Sequence, residues 1–281
     1  MDGEGDVSEA QEGGAEVGDT PAEPEEEALV EAAEGTGDEA GEAKSEVPVE
    51  EEVPAGPDVA APPVKELREA LAWAFDGEEV TSELLDAYAT HAHLVLDENR
   101  RMNITAILEP KEVAAKHYLD CWRITQFLPL FGHTVVDIGT GGGFPGIPLA
   151  LAEPMARVTM IDSTRKKTEF VQRCIDELGL KNAAVHWARA EDWLLTERAD
   201  LAIFRAVSSV RENVRTLRKV KQSIRDVVML KGKSWSREVR AAEREVERLG
   251  FKLDTVWEHS LPGEMGEHVI LVYQAPGGQG V

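Results

Sequence analysis

One decapeptide limits what this chain can fold into more than any other stretch: Asp137-Ile138-Gly139-Thr140-Gly141-Gly142-Gly143-Phe144-Pro145-Gly146. It follows the apolar run at 135–138 and precedes another at 147–151. A glycine-rich segment in that position reads as a turn from a buried strand into a helix, because glycine lets the backbone bend sharply and approach a ligand closely. The free amides that open the next helix favour negative ligand groups.

The same alternation continues downstream. Residues 158–161, 183–186, 201–204 and 227–230 read as further strands. Between them, 164–178 reads as a helix with Phe170, Val171, Cys174, Ile175 and Leu178 on one stripe and Gly179 as its stop. A charged amphipathic helix over 236–249 ends at Gly250, and 251–257 and 268–273 form a closing strand pair around Pro262-Gly263. Strands alternating with helices predict an α/β fold, a mostly parallel sheet covered on both faces.

Upstream, the period is helical. Val64, Leu67, Leu71 and Phe75 mark one helix, and Leu84, Tyr88, His91 and Val95 a second. A third starts at Pro110 and turns Val113, His117, Cys121, Ile124 and Leu128 inward. The expected organisation is a helical N-terminal cap over 63–131, a ligand-binding α/β domain over 132–275 and a flexible end over 276–281.

Charge separates a further segment. The formal net charge is -23, but residues 1–60 hold 21 acidic residues against one lysine and no aromatic residue. The other 221 residues carry 32 acids and 29 bases, close to neutral. Such a tail cannot bury enough apolar surface to offset its chain entropy, so 1–62 is expected to be disordered. It lacks a signal peptide's pattern, and no run is long or apolar enough to span a membrane. Cys121 and Cys174 show no metal-type spacing, so no metal site is expected, and two unpaired thiols suit a cytoplasmic protein.

Two adenosine-containing cofactors compete for the glycine turn. Gly141, Gly143 and Gly146 fit the spacing of the dinucleotide fingerprint, but counted from the strand end at Gly139 and Gly141 the third position is Phe144. Asp137 lies two residues before the first glycine, where it would repel a pyrophosphate. S-adenosylmethionine has no phosphate, and a carboxylate there favours its cationic groups. Asp162, at the end of the second strand, is placed to accept ribose hydroxyls from either cofactor. Ala190-Glu191 follows the third strand, where the loop would border an adenine. The reading that emerges is a methyl-donor site, with a nicotinamide-dependent oxidoreductase as the distant alternative.

Further motifs sharpen this. Asn103-Ile104-Thr105-Ala106-Ile107, Lys116-His117-Tyr118-Leu119-Asp120, the run 137–148, Asp162-Ser163, Arg189-Ala190-Glu191, Phe204-Arg205-Ala206 and Leu230-Lys231-Gly232 occur in that order. Together the chain resembles the bacterial 16S rRNA guanine-N7 methyltransferases, also called glucose-inhibited division protein B, over about residues 65–275. The resemblance implies a class I, Rossmann-like methyltransferase fold, S-adenosylmethionine as cofactor, and methylation of N7 of a guanine in 16S ribosomal RNA or the small ribosomal subunit; a monomer is expected, though nothing in the sequence fixes the oligomeric state. It assigns Gly139, Phe144, Ala190, Glu191 and Arg205 to the cofactor, beside Gly141 and Asp162. A methyltransferase of the same fold acting on a small molecule or protein is the nearest alternative. The chain has Glu267-His268 where the family usually has an Arg-His pair, and 211–225 is more basic than the family's pattern.

Three roles stay open in the sequence. Arg205 either orients the cofactor or the guanine, or pairs with Asp137 or Asp162. His117 and Asp120 share one helix, suited to a hydrogen bond beneath the glycine turn. Arg211, Arg215 and Arg218 repeat at i, i+4 and i+7; with Lys219, Lys221, Arg225 and Arg165-Lys166-Lys167 they form either a track for RNA phosphates or a solvated face.

Overall fold

The apolar runs pair as the alternation predicts. In the computed structural model, which describes residues 54–277, they are β1 (Thr134–Ile138), β2 (Arg157–Asp162), β3 (Ala183–Trp187), β4 (Ala199–Arg205) and β5 (Ile224–Lys231). These five pair in parallel. The closing hairpin, β6 (Lys252–Leu261) and β7 (Gly266–Gln274), is antiparallel and joins the sheet through β7 against β5. The strand order is β3-β2-β1-β4-β5-β7-β6. The direction of strand succession reverses between β1 and β4, which opens a crevice at their carboxyl ends.

Helices cover both faces. Those before the sheet are α1 (Val64–Ala74), α2 (Ser82–Glu98), α3 (Pro110–Val113) and α4 (Asp120–Phe127); those within it are α5 (Gly146–Ala152), α6 (Arg165–Glu177), α7 (Ala190–Thr196), α8 (Val210–Thr216) and α9 (Trp235–Leu249). The expected third helix is one continuous rod, but its centre, Ala114–Leu119, is π-helical. Widening the turn there rotates the residues beyond it, so Ala114, Ala115, Tyr118 and Leu119 are buried along with His117, where an α-helical stripe would hide only one side.

Successive strand residues face opposite sides, and the core divides accordingly. Val135 and Ile203 join a cluster with Leu67, Tyr88, Tyr118 and Ile147. Val136 and Ala202 join another with Val214, Val246 and Leu271. The helices of 63–131 therefore share a core with one face of the sheet, where each fully buried large apolar side chain contributes about 2 kcal/mol.

The expected acidic tail lies outside the described residues except for 54–62, and that short piece is held along α2. The Asn103 amide donates to the Pro54 carbonyl at 2.9 Å. Arg100 pairs with Asp58 at 2.7 Å, and His93 Nδ1 bonds the Pro62 carbonyl at 2.8 Å. Packed chain thus begins before residue 63, because backbone carbonyls there find partners that composition does not reveal. Of the expected flexible end, 278–281 lie outside the described residues. No helix among the described residues is long and apolar enough to cross a membrane.

Candidate active site

The glycine turn takes its shape from groups behind it. Gly139, Gly141 and Gly143 have φ of +75°, +58° and +92°, a region that penalises side chains. Space is as limiting as conformation at two positions. A Cβ on Gly143 would lie 2.6 Å from Ile147 Cδ1, and one on Gly146 would lie 2.3 Å from Met160 Cγ. At Gly141 nothing lies nearer than 4.0 Å, so here the loop faces open space.

Asp137 stands at the centre of this support. It is completely buried, and its Oδ2 accepts the Gly146 amide at 2.9 Å. Its Oδ1 and the Thr140 hydroxyl are both buried without a well-formed hydrogen bond. Burial pushes the carboxyl up to about 7, against the favourable influence of Thr140, the Gly146 amide and Arg205. The expectation that Asp137 faces the donor's cation is corrected: the carboxylate closes the loop from within and has no surface left for a ligand.

Asp162 faces the turn from β2. Its Oδ2 accepts the Gly141 amide at 3.0 Å and its Oδ1 the Thr164 amide at 2.9 Å. Each carboxylate oxygen keeps a second lone pair, so acceptor capacity remains. A cavity of about 200 Å³ lies over this corner, lined by Gly139, Asp162, Ser163, Ala190, Glu191 and Val207 among others. The structure therefore brings Gly139, Asp162, Ala190 and Glu191 together, with Gly141 bonded to Asp162. Acids beside bare glycine backbone fit a ligand with ribose hydroxyls and a cationic end, and Arg189 is the single basic residue in the lining, beside Asp162 and Glu191.

Phe144 and Arg205 sit elsewhere. The Phe144 ring is buried behind the turn, stacked on His117 at 4.8 Å and edge-on to Tyr118 at 5.3 Å. Arg205, at the end of β4, donates through Nη2 to the Lys116 carbonyl at 2.8 Å and to His117 Nδ1 at 2.7 Å. Its nearest carboxylate is Asp120, with Nε 3.9 Å from Oδ2, not Asp137 or Asp162. With Nδ1 accepting, His117 carries its proton on Nε2 and donates it to the Thr105 hydroxyl at 2.9 Å. Burial and then the Arg205 charge hold His117 well below the usual imidazole range, so it stays neutral. The Asn103–Ile107 and Lys116–Asp120 motifs, separate in sequence, meet through this histidine.

A second cavity of about 350 Å³ adjoins the first across Val207, and Asp120, Arg205, Ser208, Lys231, Glu238 and His268 line it. Asp120 Oδ1 accepts from His259 Nε2 at 2.9 Å and His268 Nδ1 at 3.1 Å. Lys231 is held by Glu238 at 2.9 Å and by the Ser208 carbonyl. Ala206, in the wall, has φ +53°, uncommon for a residue with a Cβ. Sequence reasoning missed His259, Lys231 and Glu238 as neighbours of Arg205. A hairpin reading with a four-residue turn would have set His259 opposite His268, as the register does.

The basic stretch is committed locally. Arg211 donates to the Ala241 carbonyl at 2.5 Å, Arg215 pairs with Glu245 at 2.9 Å, and Lys221 donates to the Leu249 carbonyl at 2.6 Å. Arg225 pairs with Asp200 and Asp226. These cations fasten α8 and its continuation to α9 and the strand ends. Trp187, at the end of β3, donates to the Ser163 carbonyl at 2.9 Å and lies beneath the Arg165 guanidinium.

Known proteins resemble this chain over the same elements. A family model described as GidB, rRNA small subunit methyltransferase G, matches residues 83–264. A ribosomal RNA small subunit methyltransferase G of Solibacter usitatus is 36% identical over 186 residues, covering 65% of this chain and 87% of that protein. One from Carboxydothermus hydrogenoformans is 32% identical over 202 residues, covering 70% and 86% respectively. Among solved structures, an Aquifex aeolicus protein titled as a SAM dependent methyltransferase aligns with TM-score 0.45 and 16% identity, over 59% of this chain and 94% of that one.

Proposed function

The chain belongs to the rRNA small subunit methyltransferase G family, and from that premise we propose that it methylates N7 of a guanine in small-subunit ribosomal RNA, using S-adenosylmethionine. The observation that carries the reading is the pair of cavities meeting at Val207. Gly139, Gly141, Asp162, Ala190 and Glu191 bind the donor on one side; Arg205, Asp120 and His268 face the acceptor on the other. Phe144 shapes the glycine turn from behind.

When bound, S-adenosylmethionine supplies an activated methyl group on a sulfonium. Guanine N7 already presents a lone pair at neutral pH, so no proton has to leave and no residue serves as general base. The chain's work is alignment and exclusion of water. Asp162, fixed by two backbone amides, presents its remaining lone pairs to the ribose. The turn, fixed by Asp137, Met160 and Ile147, keeps Gly139 and Gly141 open to the donor. Arg205 holds the Lys116–Asp120 segment against the end of β4, and Asp120 ties it to His268 on β7, which together set the acceptor cavity's width.

Calorimetry with S-adenosylmethionine, followed by incubation with labelled donor and small ribosomal subunits and mapping of the modified base, tests this. Donor binding and label at a guanine N7 are expected. Label on protein only, or preferential binding of a nicotinamide dinucleotide, would sink the reading.

A further inference from the structure

The acceptor cavity holds one ring nitrogen with a fixed proton partner and no bond of its own. His268 Nδ1 lies 3.1 Å from Asp120 Oδ1. An ionised carboxylate can only accept, so the Nδ1 proton points at Asp120 and the free lone pair belongs to Nε2. His268 Nε2 makes no hydrogen bond among the described residues, and the ring, 23% exposed against 4% for Asp120, lines the cavity. The other groups around it are engaged. Arg205 turns Nη2 toward Lys116 and His117 while its Nε, buried and without a hydrogen bond, faces Asp120 at 3.9 Å, and Lys231 is turned toward Glu238 and Ser208. His259 directs Nε2 at Asp120, and its Nδ1 is buried without a partner.

We infer, resting on the function proposed above, that His268 reads the acceptor base by accepting a hydrogen bond at Nε2 from the N1–H of guanine, with Asp120 as the positioning residue that fixes its tautomer. Chemistry favours N1–H over other contacts. Attack by N7 places positive charge on the purine and makes N1–H a stronger donor. A bond accepted there grows as the methyl moves, so it lowers the barrier as well as selecting the base. Adenine carries a lone pair at N1 and would meet Nε2 acceptor to acceptor. Asp120 is suited to its part: burial alone would raise its carboxyl, but hydrogen bonds from His259 and His268 and the Arg205 charge hold it below the ordinary range.

The test uses the full chain and small-subunit RNA carrying guanine, inosine or 2-aminopurine at the position that labelling identifies. Inosine keeps N1–H; 2-aminopurine keeps N7 and loses N1–H. Wild type should methylate guanine and inosine at similar rates and 2-aminopurine about tenfold more slowly, the size of one lost hydrogen bond. His268→Ala should fall about tenfold on guanine and lose the discrimination, with S-adenosylmethionine affinity unchanged. His268→Gln, whose amide oxygen can accept, should recover part of both; it also carries the test if the alanine variant fails to fold. Asp120→Asn, which can donate to His268 and reverse its tautomer, should lower kcat without altering donor affinity. Equal discrimination in wild type and His268→Ala overturns the inference. A wild-type protein that binds donor yet labels no RNA, or binds no donor, overturns the underlying function instead.

Discussion

Asp137 Oδ2 and the Gly146 amide, 2.9 Å apart, tie the last residue of the glycine turn to the strand that launches it. The bond spans nine residues and lies wholly out of contact with water. It makes the turn a closed ring around a carboxyl that burial, and not this bond, raises to about 7.

That carboxyl gives stability a pH dependence of defined sign. Its folded value, about 7, lies above an unfolded aspartate near ~4. Between those values the folded chain keeps a proton that the unfolded chain has lost, so this group weakens stability as pH rises from about 4 to about 7. Asp137→Asn removes the titration. Denaturant unfolding at pH 5 and pH 8 should show wild type losing stability relative to the variant; parallel changes in both would refute the assignment.

Two glycines of the turn should respond differently. Gly146→Ala forces a methyl against Met160 and Asp137 and should cost about 2 kcal/mol or more. Gly141→Ala meets open space and has only its positive φ to contend with, about 1 kcal/mol. Its larger effect should be weaker S-adenosylmethionine binding. Thermal unfolding and donor titration of both variants separate the two cases.

Arg205→Lys should not rescue Arg205→Ala. Nη2 donates its two protons to the Lys116 carbonyl and His117 Nδ1 in directions fixed by the guanidinium plane, while Nε faces Asp120 at 3.9 Å; a freely rotating ammonium on a shorter stem does not hold these three relations at once. Methyl incorporation should fall at least about tenfold in both variants, as expected for loss of a charge-assisted hydrogen bond. Lysine restoring full rate would show that charge alone matters.

RNA binding should be nearly indifferent to Arg211 and Arg215. Both are occupied by α9, so their alanine variants should keep RNA affinity and its salt slope. Lys166, exposed at the start of α6, offers a contrast. If it touches a phosphate, Lys166→Ala should reduce the salt slope by roughly 0.7. Affinity measured across a salt series compares the three.

Periodic features were legible in the sequence because each depends on a local rule. The five parallel strands, the closing hairpin and the helices at Arg165–Glu177 and Trp235–Leu249 all arise from runs of apolar residues with a defined period. Gly139, Asp162, Ala190 and Glu191 were legible because strand ends at a switch point converge. Features that escaped depend on contacts between distant segments. Arg205 finds Asp120 rather than Asp137 because the π-helical turn carries Asp120 toward β4. The arginines of α8 read as a basic face, yet nothing local announces that the carbonyls and acids of α9 would receive them.

Helix α2 reaches the glycine turn directly: the Tyr88 hydroxyl donates to the Pro148 carbonyl at 3.0 Å, and His91 spans from Gly142 to Tyr118. With Nε2 donating and Nδ1 accepting, His91 is neutral, and burial lowers its basicity to about 3. The N-terminal helices are therefore the back wall of the glycine turn. A hinge between them and the sheet would tear these bonds, and the two cavities open on the other side of the turn, where the exposed Val207 side chain lines both. Excising the segment before β1 to obtain a smaller enzyme would leave the glycine turn without its scaffold.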